Sequence, residues 1–132
     1  MARSIKQVIQ LSATPHEVYE ALMDSEVHSS FTGSRAVISR KVGGKFSTFD
    51  NYSTGTNLKL SKDKKIVQTW RANDWPEGAL SKATFALKAS KQGTQLTFTQ
   101  TGVPDSQYKA IKQGWIDFYW KPMKEMFGKR KR

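Results

Sequence analysis

The rhythm of apolar and polar positions changes twice along this chain. Ile5, Ile9 and Leu11 share one parity, which predicts a short first strand with one buried face. Thr14-Pro15-His16-Glu17 follows, with threonine as N-cap, proline at the first helical position and glutamate at the third. That is a capping box, with proline where its missing N–H costs nothing. Val18, Ala21 and Leu22 form the buried stripe of this helix, which the pattern ends near Asp24. Ser25 is placed to cap a second short helix stopping at Gly33, where a residue without Cβ tolerates positive φ.

From Arg35 to Gln100 the period falls to two. Strands are predicted at Val37 to Arg40, Phe46 to Phe49, Gly55 to Leu60, Ile66 to Arg71, Leu80 to Leu87 and Thr94 to Gln100. Val42-Gly43-Gly44-Lys45 reads as a tight hairpin turn whose paired glycines supply positive φ. Ala83, Phe85 and Leu87 alternate with Lys82, Thr84 and Lys88, and Leu96 and Phe98 with Thr97 and Thr99. Such alternation belongs to an antiparallel sheet with one wet face.

After Val103-Pro104 the period lengthens again. Tyr108, Ile111, Trp115, Phe118, Met123 and Met126 recur at mostly three- or four-residue steps, one face of a helix of about 20 residues and about 30 Å. Pro122 removes a hydrogen bond to residue 118 and predicts a kink there, or the end of regular helix. Strand, two short helices, six strands and a long helix make an α+β order. The inner face of such a sheet holds either many aromatics or a cavity. Four Trp, seven Phe and four Tyr leave both outcomes open.

With 132 residues and no cysteine, the chain fits one domain, 1–132, and excludes disulfides, zinc–thiolate sites and thiol nucleophiles. No signal-like or membrane-length apolar run is visible, so the expectation is a cytoplasmic protein without membrane insertion. The net charge is +11 and uneven. Residues 34–71 carry nine basic and two acidic side chains, whereas the first 33 are slightly acidic. Charge of this kind favours anionic partners, but no recognition helix or stacking motif accompanies it, so no specific nucleic-acid binding is expected. The run Lys129-Arg130-Lys131-Arg132 reads as solvated charge, or as a basic patch.

The chemistry-bearing residues are sparse. His16 and His28 lack a second ligand at metal spacing, so no metal or cofactor is expected; His16 should be exposed and His28 locally packed. Trp70-Arg71 and Trp75-Pro76-Glu77-Gly78 read as a loop anchored by two indoles, with Arg71 in a surface ion pair. No convergent acid/base set appears, so no catalytic residue is assigned. Gly114 lies within the long helix, where glycine costs about 1 kcal/mol relative to alanine. Either the backbone there packs closely against a residue such as Trp70, the preferred reading, or the missing side chain leaves room for a ligand.

Several stretches together resemble a known family. They are Ala13 to Leu22, His28 with Phe31-Thr32-Gly33, Val42 to Phe46, Ile66 to Arg71, Trp75 to Gly78, Gly114-Trp115 and Tyr119-Trp120. In this order they resemble the homologues of the activator of heat-shock protein 90 ATPase, within the START-related, birch-pollen-allergen-type helix-grip (SRPBCC) superfamily. The resemblance implies a curved antiparallel sheet of about seven strands gripping the C-terminal helix. It covers the C-terminal domain of the eukaryotic co-chaperone, with no room expected for the separate N-terminal domain. It implies a non-enzymatic domain, a monomer or weak dimer, that binds an unidentified apolar small molecule between sheet and helix. The alternative is a protein-binding accessory of the chaperone. The candidate ligand-binding residues are Phe31, Gln68, Trp70, Trp75, Phe85, Phe98, Gly114, Trp115 and Phe118.

Overall fold

A computed structural model describes residues 2–130. Strand β1 (Ala2–Leu11) leads to helices α1 (Pro15–Met23) and α2 (Ser25–Thr32). Six strands follow: β2 (Val37–Ile38), β3 (Lys45–Thr48), β4 (Ser53–Ser61), β5 (Lys65–Ala72), β6 (Ser81–Ser90) and β7 (Gly93–Pro104). They form one antiparallel sheet in the order β1-β7-β6-β5-β4-β3-β2. After a 3-10 turn at Asp105–Gln107, the C-terminal helix runs as α3 (Tyr108–Trp115), a π-helical segment (Ile116–Trp120) and α4 (Lys121–Arg130). This is the expected α+β helix-grip architecture. No helix among the described residues is long and apolar enough to cross a membrane.

Local chemistry explains most element ends. The Thr14 side chain accepts from the Glu17 N–H at 3.1 Å while Glu17 accepts from the Thr14 N–H at 2.9 Å, closing the capping box. Gly33 ends α2 in the left-handed region at φ 73°. The cap of α2 differs from expectation by one position. Asp24, not Ser25, accepts from the Val27 N–H at 3.1 Å, because Asp24 keeps extended backbone while Ser25 is already helical. The Ser25 hydroxyl instead accepts from the Ile38 N–H, tying α2 to β2. Only Gly43 of the Gly43-Gly44 pair has positive φ. Gly44 is required for another reason: a Cβ there would collide with the Ser39 side chain. Strand β2 spans two residues rather than four, and β7 continues to Pro104, which both ends the sheet and precedes the 3-10 turn leading into the helix.

The inner face of the sheet carries the core: Ile5, Leu11, Ile66, Ala83, Phe85, Leu96 and Phe98 are all buried. Indole N–H groups fix the helix upon it. Trp115 Nε1 donates to Gln100 Oε1 at 2.8 Å, and Trp120 Nε1 donates to Gln7 Oε1 at 2.7 Å. Gln100 in turn donates to Ser81 Oγ, which donates to the Trp70 carbonyl. These bonds satisfy polar groups that would be costly to bury alone and set the helix position along β7 and β1.

The helix neither stops nor simply kinks before Pro122. It widens, with the Lys121 N–H bonding Ile116 O across a π turn. Proline has no N–H to give the Phe118 carbonyl, and the wider turn accommodates this without breaking the helix. The buried face becomes Ile111, Trp115, Tyr119, Trp120, Met123 and Phe127. Phe118, expected on that face, is 57% exposed. Lys131 and Arg132 of the basic run lie outside the described residues, as do the side chains of Lys129 and Arg130.

Candidate functional site

Two concavities flank the C-terminal helix, and they differ in kind. The inner one lies between sheet and helix and holds only about 20 Å³. Its walls include His28, Thr48, Gln68, Phe85, Trp115 and Tyr119. An apolar molecule does not fit there, since the volume corresponds to about one water. The aromatic rings fill the middle of the grip: Trp115 lies 4.3 Å from Phe98, 4.5 Å from Tyr119 and 5.7 Å from Trp120, centroid to centroid.

The second concavity is a cleft of about 250 Å³ at one flank of α3. Phe49, Tyr52, Trp70, Ala110, Ile111, Gly114, Trp115, Phe118 and Tyr119 line it. Helix α3 supplies one wall through Ala110, Ile111, Gly114 and Trp115. Trp70 of β5 supplies the floor, and the β3–β4 turn supplies Phe49 and Tyr52. Gly114 opens the space: a Cβ there would meet only Phe118 Cδ2, at 3.8 Å. The preferred sequence reading, close packing at Gly114, is therefore corrected. The neighbouring helix row, with Ala110 one turn earlier, stands away from the sheet.

The β3–β4 turn is strained. Phe49, Asp50 and Asn51 all have positive φ, at 52°, 52° and 73°. Three successive non-glycine residues in that region are costly, most of all the aromatic one. Backbone bonds hold the turn: Asp50 N–H to Arg35 O at 2.9 Å and Asn73 N–H to Tyr52 O at 2.7 Å. Edge contacts from Phe49 to Phe118 and Tyr119, at 5.9 and 5.7 Å, add to them. Burial, and then the Asp74 charge, raise the Tyr52 hydroxyl above its ordinary range. The cleft therefore offers apolar surface and the neutral Tyr52 hydroxyl, with no carboxylate or ammonium in its lining.

Of the nine predicted residues, Trp70, Gly114, Trp115 and Phe118 meet in the cleft. Gln68 and Phe85 reach only the inner cavity, where Gln68 donates to Asn57 Oδ1 at 3.1 Å. Phe31, Trp75 and Phe98 line neither. Phe31 packs on His28 and Tyr119, and Trp75 on Trp70, so both brace the walls from behind. Sequence reasoning missed Phe49, Tyr52, Ala110, Ile111 and Tyr119 as cleft residues. The Asp50-Asn51 pair was a usable signal, because Asp and Asn tolerate left-handed backbone and mark a turn.

The polar candidates settle into structural roles. His16 is exposed and shares a hydrogen bond with Asp63 at 2.9 Å. His28 is buried, its Nδ1 without a hydrogen-bond partner among the described residues, and burial pushes its imidazole down to about 4. The expected Arg71 ion pair is not formed among the described residues. Its guanidinium donates to the carbonyls of Trp75 and Pro76, at 2.9 and 3.3 Å, and so closes the loop. Among the described residues no three His, Asp or Glu side chains gather where they could hold a metal ion.

The model of the family described as Activator of Hsp90 ATPase homolog 1-like protein matches residues 12–128. The chain belongs to this family. The human activator of 90 kDa heat shock protein ATPase homolog 1 is 30% identical over 115 residues, covering 87% of this chain and 34% of that protein. The chain thus spans about a third of the length of the curated relatives it matches. Among solved structures, an HSP90 activator from Plasmodium falciparum superposes with a TM-score of 0.84 at 27% identity, over 97% of this chain and 96% of that one. A Mesorhizobium loti protein superposes with a TM-score of 0.82 at 21% identity, over 98% and 99%, a likeness of fold. Trp70, Trp75, Gly114 and Trp115 all fall within the matched span of this activator-homologue domain.

Proposed function

We propose that this family member is a non-enzymatic binding protein whose cleft takes up a small, uncharged apolar group. The observation that carries this reading is the 250 Å³ apolar cleft held open by Gly114. An apolar cavity of about 150 Å³ accepts benzene, so this one has room for a somewhat larger ring or a branched alkyl group. It sits at the mouth of the grip, not in its filled centre. Ligand sites of this sort are concave and mostly apolar, with few polar groups fixing orientation. Tyr52 is the polar group available at the rim.

A second reading is favoured by the relatives named as activators of a 90 kDa heat-shock protein ATPase. In that reading the protein is a cytosolic accessory of such a chaperone, and the cleft receives an apolar side chain of the partner. Buried anchors of this kind dominate protein interfaces.

Gly114→Leu tests both. Leucine enters open space and gains helix propensity worth up to about 1 kcal/mol, so the melting temperature should hold or rise. Uptake of an apolar fluorescent dye should fall by at least about tenfold, or 1.4 kcal/mol of affinity. If calorimetry with purified chaperone shows binding that the same variant loses, the second reading is favoured. A variant that melts normally and still takes up dye and chaperone like the parent overturns the cleft as the site.

A further inference from the structure

The outer face of the sheet carries charge of a single sign. All eleven acidic residues lie outside the seven strands, on helices, turns and connections. The strand register then gathers six lysines on the face turned away from the helix: Lys6, Lys45, Lys59, Lys65, Lys82 and Lys88. Lys6 stands opposite Thr99, Lys82 opposite Thr101 and Thr69, and Lys88 opposite Gln95. Lys65 faces Ala86, Lys59 faces Val67 and Lys45 faces Thr56. All six are exposed, and none makes an ion pair among the described residues. By contrast, Arg40 on the helix side is held by Glu20.

The dimensions follow from sheet geometry. Lys82 and Lys88 are six residues apart on β6, about 20 Å. Lys6 and Lys59 are separated by four strand-to-strand steps, about 19 Å. These extremes are farther apart than the screening length of about 8 Å at physiological salt, while Lys65 stands diagonally beside Lys59 and Lys88 at about 7–8 Å, so positive charge is concentrated at the centre of the face. They remain available to a partner that spans the face.

The kind of partner is set by what lies between the lysines. Among the described residues the strands place no aromatic ring on this face, so it offers no stacking platform for unpaired bases. Its one arginine, Arg71, turns its guanidinium to the Trp75 and Pro76 carbonyls. That leaves it poorly placed as a fork for phosphate or guanine. Exposed apolar side chains sit among the cations instead: Val8 at 56% and Val37 at 51% exposure. A duplex backbone has nothing to offer Val8. An extended polypeptide carrying acidic and apolar residues in alternation does, and about six of its residues cover 20 Å.

From this we infer that the outer face of the sheet is a docking surface for an acidic, extended polypeptide segment with interspersed apolar side chains. It lies on the side of the sheet away from the cleft, so the two sites stand or fall separately.

The experiment uses the whole chain and fluorescence anisotropy. The probe is a labelled peptide of about 12 residues alternating Glu and Val. Its Gln/Val counterpart and a DNA duplex of about 20 base pairs are the comparisons, all at about 50 mM salt and again at 150 mM. Lys65→Gln/Lys82→Gln/Lys88→Gln removes three charges from the face. Lys109→Gln/Lys112→Gln/Lys124→Gln removes three from the helix at equal cost in net charge. The face variant should weaken the acidic peptide by at least about tenfold and the helix variant by less than about threefold. Val8→Asn should weaken it too, with the salt dependence unchanged. Equal losses in the two triple variants would reduce the effect to bulk charge and overturn the inference. So would tighter binding of the duplex than of the peptide, or equal binding of the Gln/Val counterpart.

Discussion

His28 should make this protein lose stability in mild acid. Its imidazole is buried against Phe31 and Tyr119, with ring centroids 5.0 and 5.2 Å away. The other residues lining its cavity are apolar or neutral, Thr48 and Gln68 among them, and Tyr119 is the one other titratable group in that lining. Burial raises the Tyr119 hydroxyl far above its ordinary range, against the opposing hydrogen bond from Thr48, so it stays neutral. Nothing there stabilises an imidazolium, and burial pushes His28 down from 6.5 to about 4. Above pH 6.5 neither the folded nor the unfolded state holds the proton. Between 6.5 and about 4 only the unfolded state does, so stability falls with pH, by about 1.4 kcal/mol per pH unit. Below about 4 both states are protonated and the slope from this group vanishes. The total is about 3 kcal/mol, a large share of the 5–15 kcal/mol typical of a domain. Urea unfolding at steps from pH 7.5 to 4, on the parent chain and on His28→Gln and His28→Leu, isolates the effect. Every other group is common to the three chains and cancels in the difference. The parent should lose about 3 kcal/mol more than the variants across this window. Parallel curves would show that His28 is not held neutral by burial, and the reasoning would be wrong.

Gln100→Leu removes the acceptor of the Trp115 indole and the donor to Ser81, and should cost about 1–3 kcal/mol in urea unfolding. Gln7→Leu, at a half-buried glutamine whose bond to Trp120 is partly open to solvent, should cost less; the reverse order would undermine the view that the inner network holds the helix. Gly55→Ala would drive a Cβ into the Thr69 carbonyl and to 2.6 Å from the Phe46 ring. Because the clash is with backbone, the loss should be about 3 kcal/mol or more, and an unchanged melting temperature would refute the close approach of β4 to β5.

The parts of the fold legible in the sequence are those fixed by local chemistry. Thr14-Pro15-His16-Glu17 specifies a helix start whatever surrounds it, and the alternation in β6 and β7 specifies which face is buried. The site was legible only in part, because it depends on helix phase. Phe118 fits an inward stripe if every turn is α-helical. The π turn at Ile116–Trp120 adds width, brings Tyr119 and Trp120 inward and leaves Phe118 at the rim. Pro122 announced an irregularity, but sequence alone does not say whether proline ends, bends or widens a helix, since neighbouring packing decides that. Gly114 was legible as an anomaly and not as a direction. Whether a missing side chain means contact or space depends on the residues opposite, here Phe49 and Tyr52, which a turn of unusual backbone brings in from β3 and β4.

One row of the C-terminal helix accounts for where the cleft lies. Ala110, Gly114 and Phe118 are four apart, so they follow one another along the same flank. Two small residues leave a trough along α3, and the large third one closes it at the π turn. The row on the other side reads Ile111, Trp115, Tyr119, and its rings occupy the space between helix and sheet so fully that only about 20 Å³ remains there. A protein that engulfs a ligand between sheet and helix needs the opposite arrangement, small residues on the inner row. In this chain the inner row is spent on rigidity, through Trp115 to Gln100 and Trp120 to Gln7, and the outer row supplies the vacancy. A rigid wall beside an open trough is suited to receiving an apolar group from outside, because the walls need no reordering when it arrives and the entropic cost of binding falls accordingly.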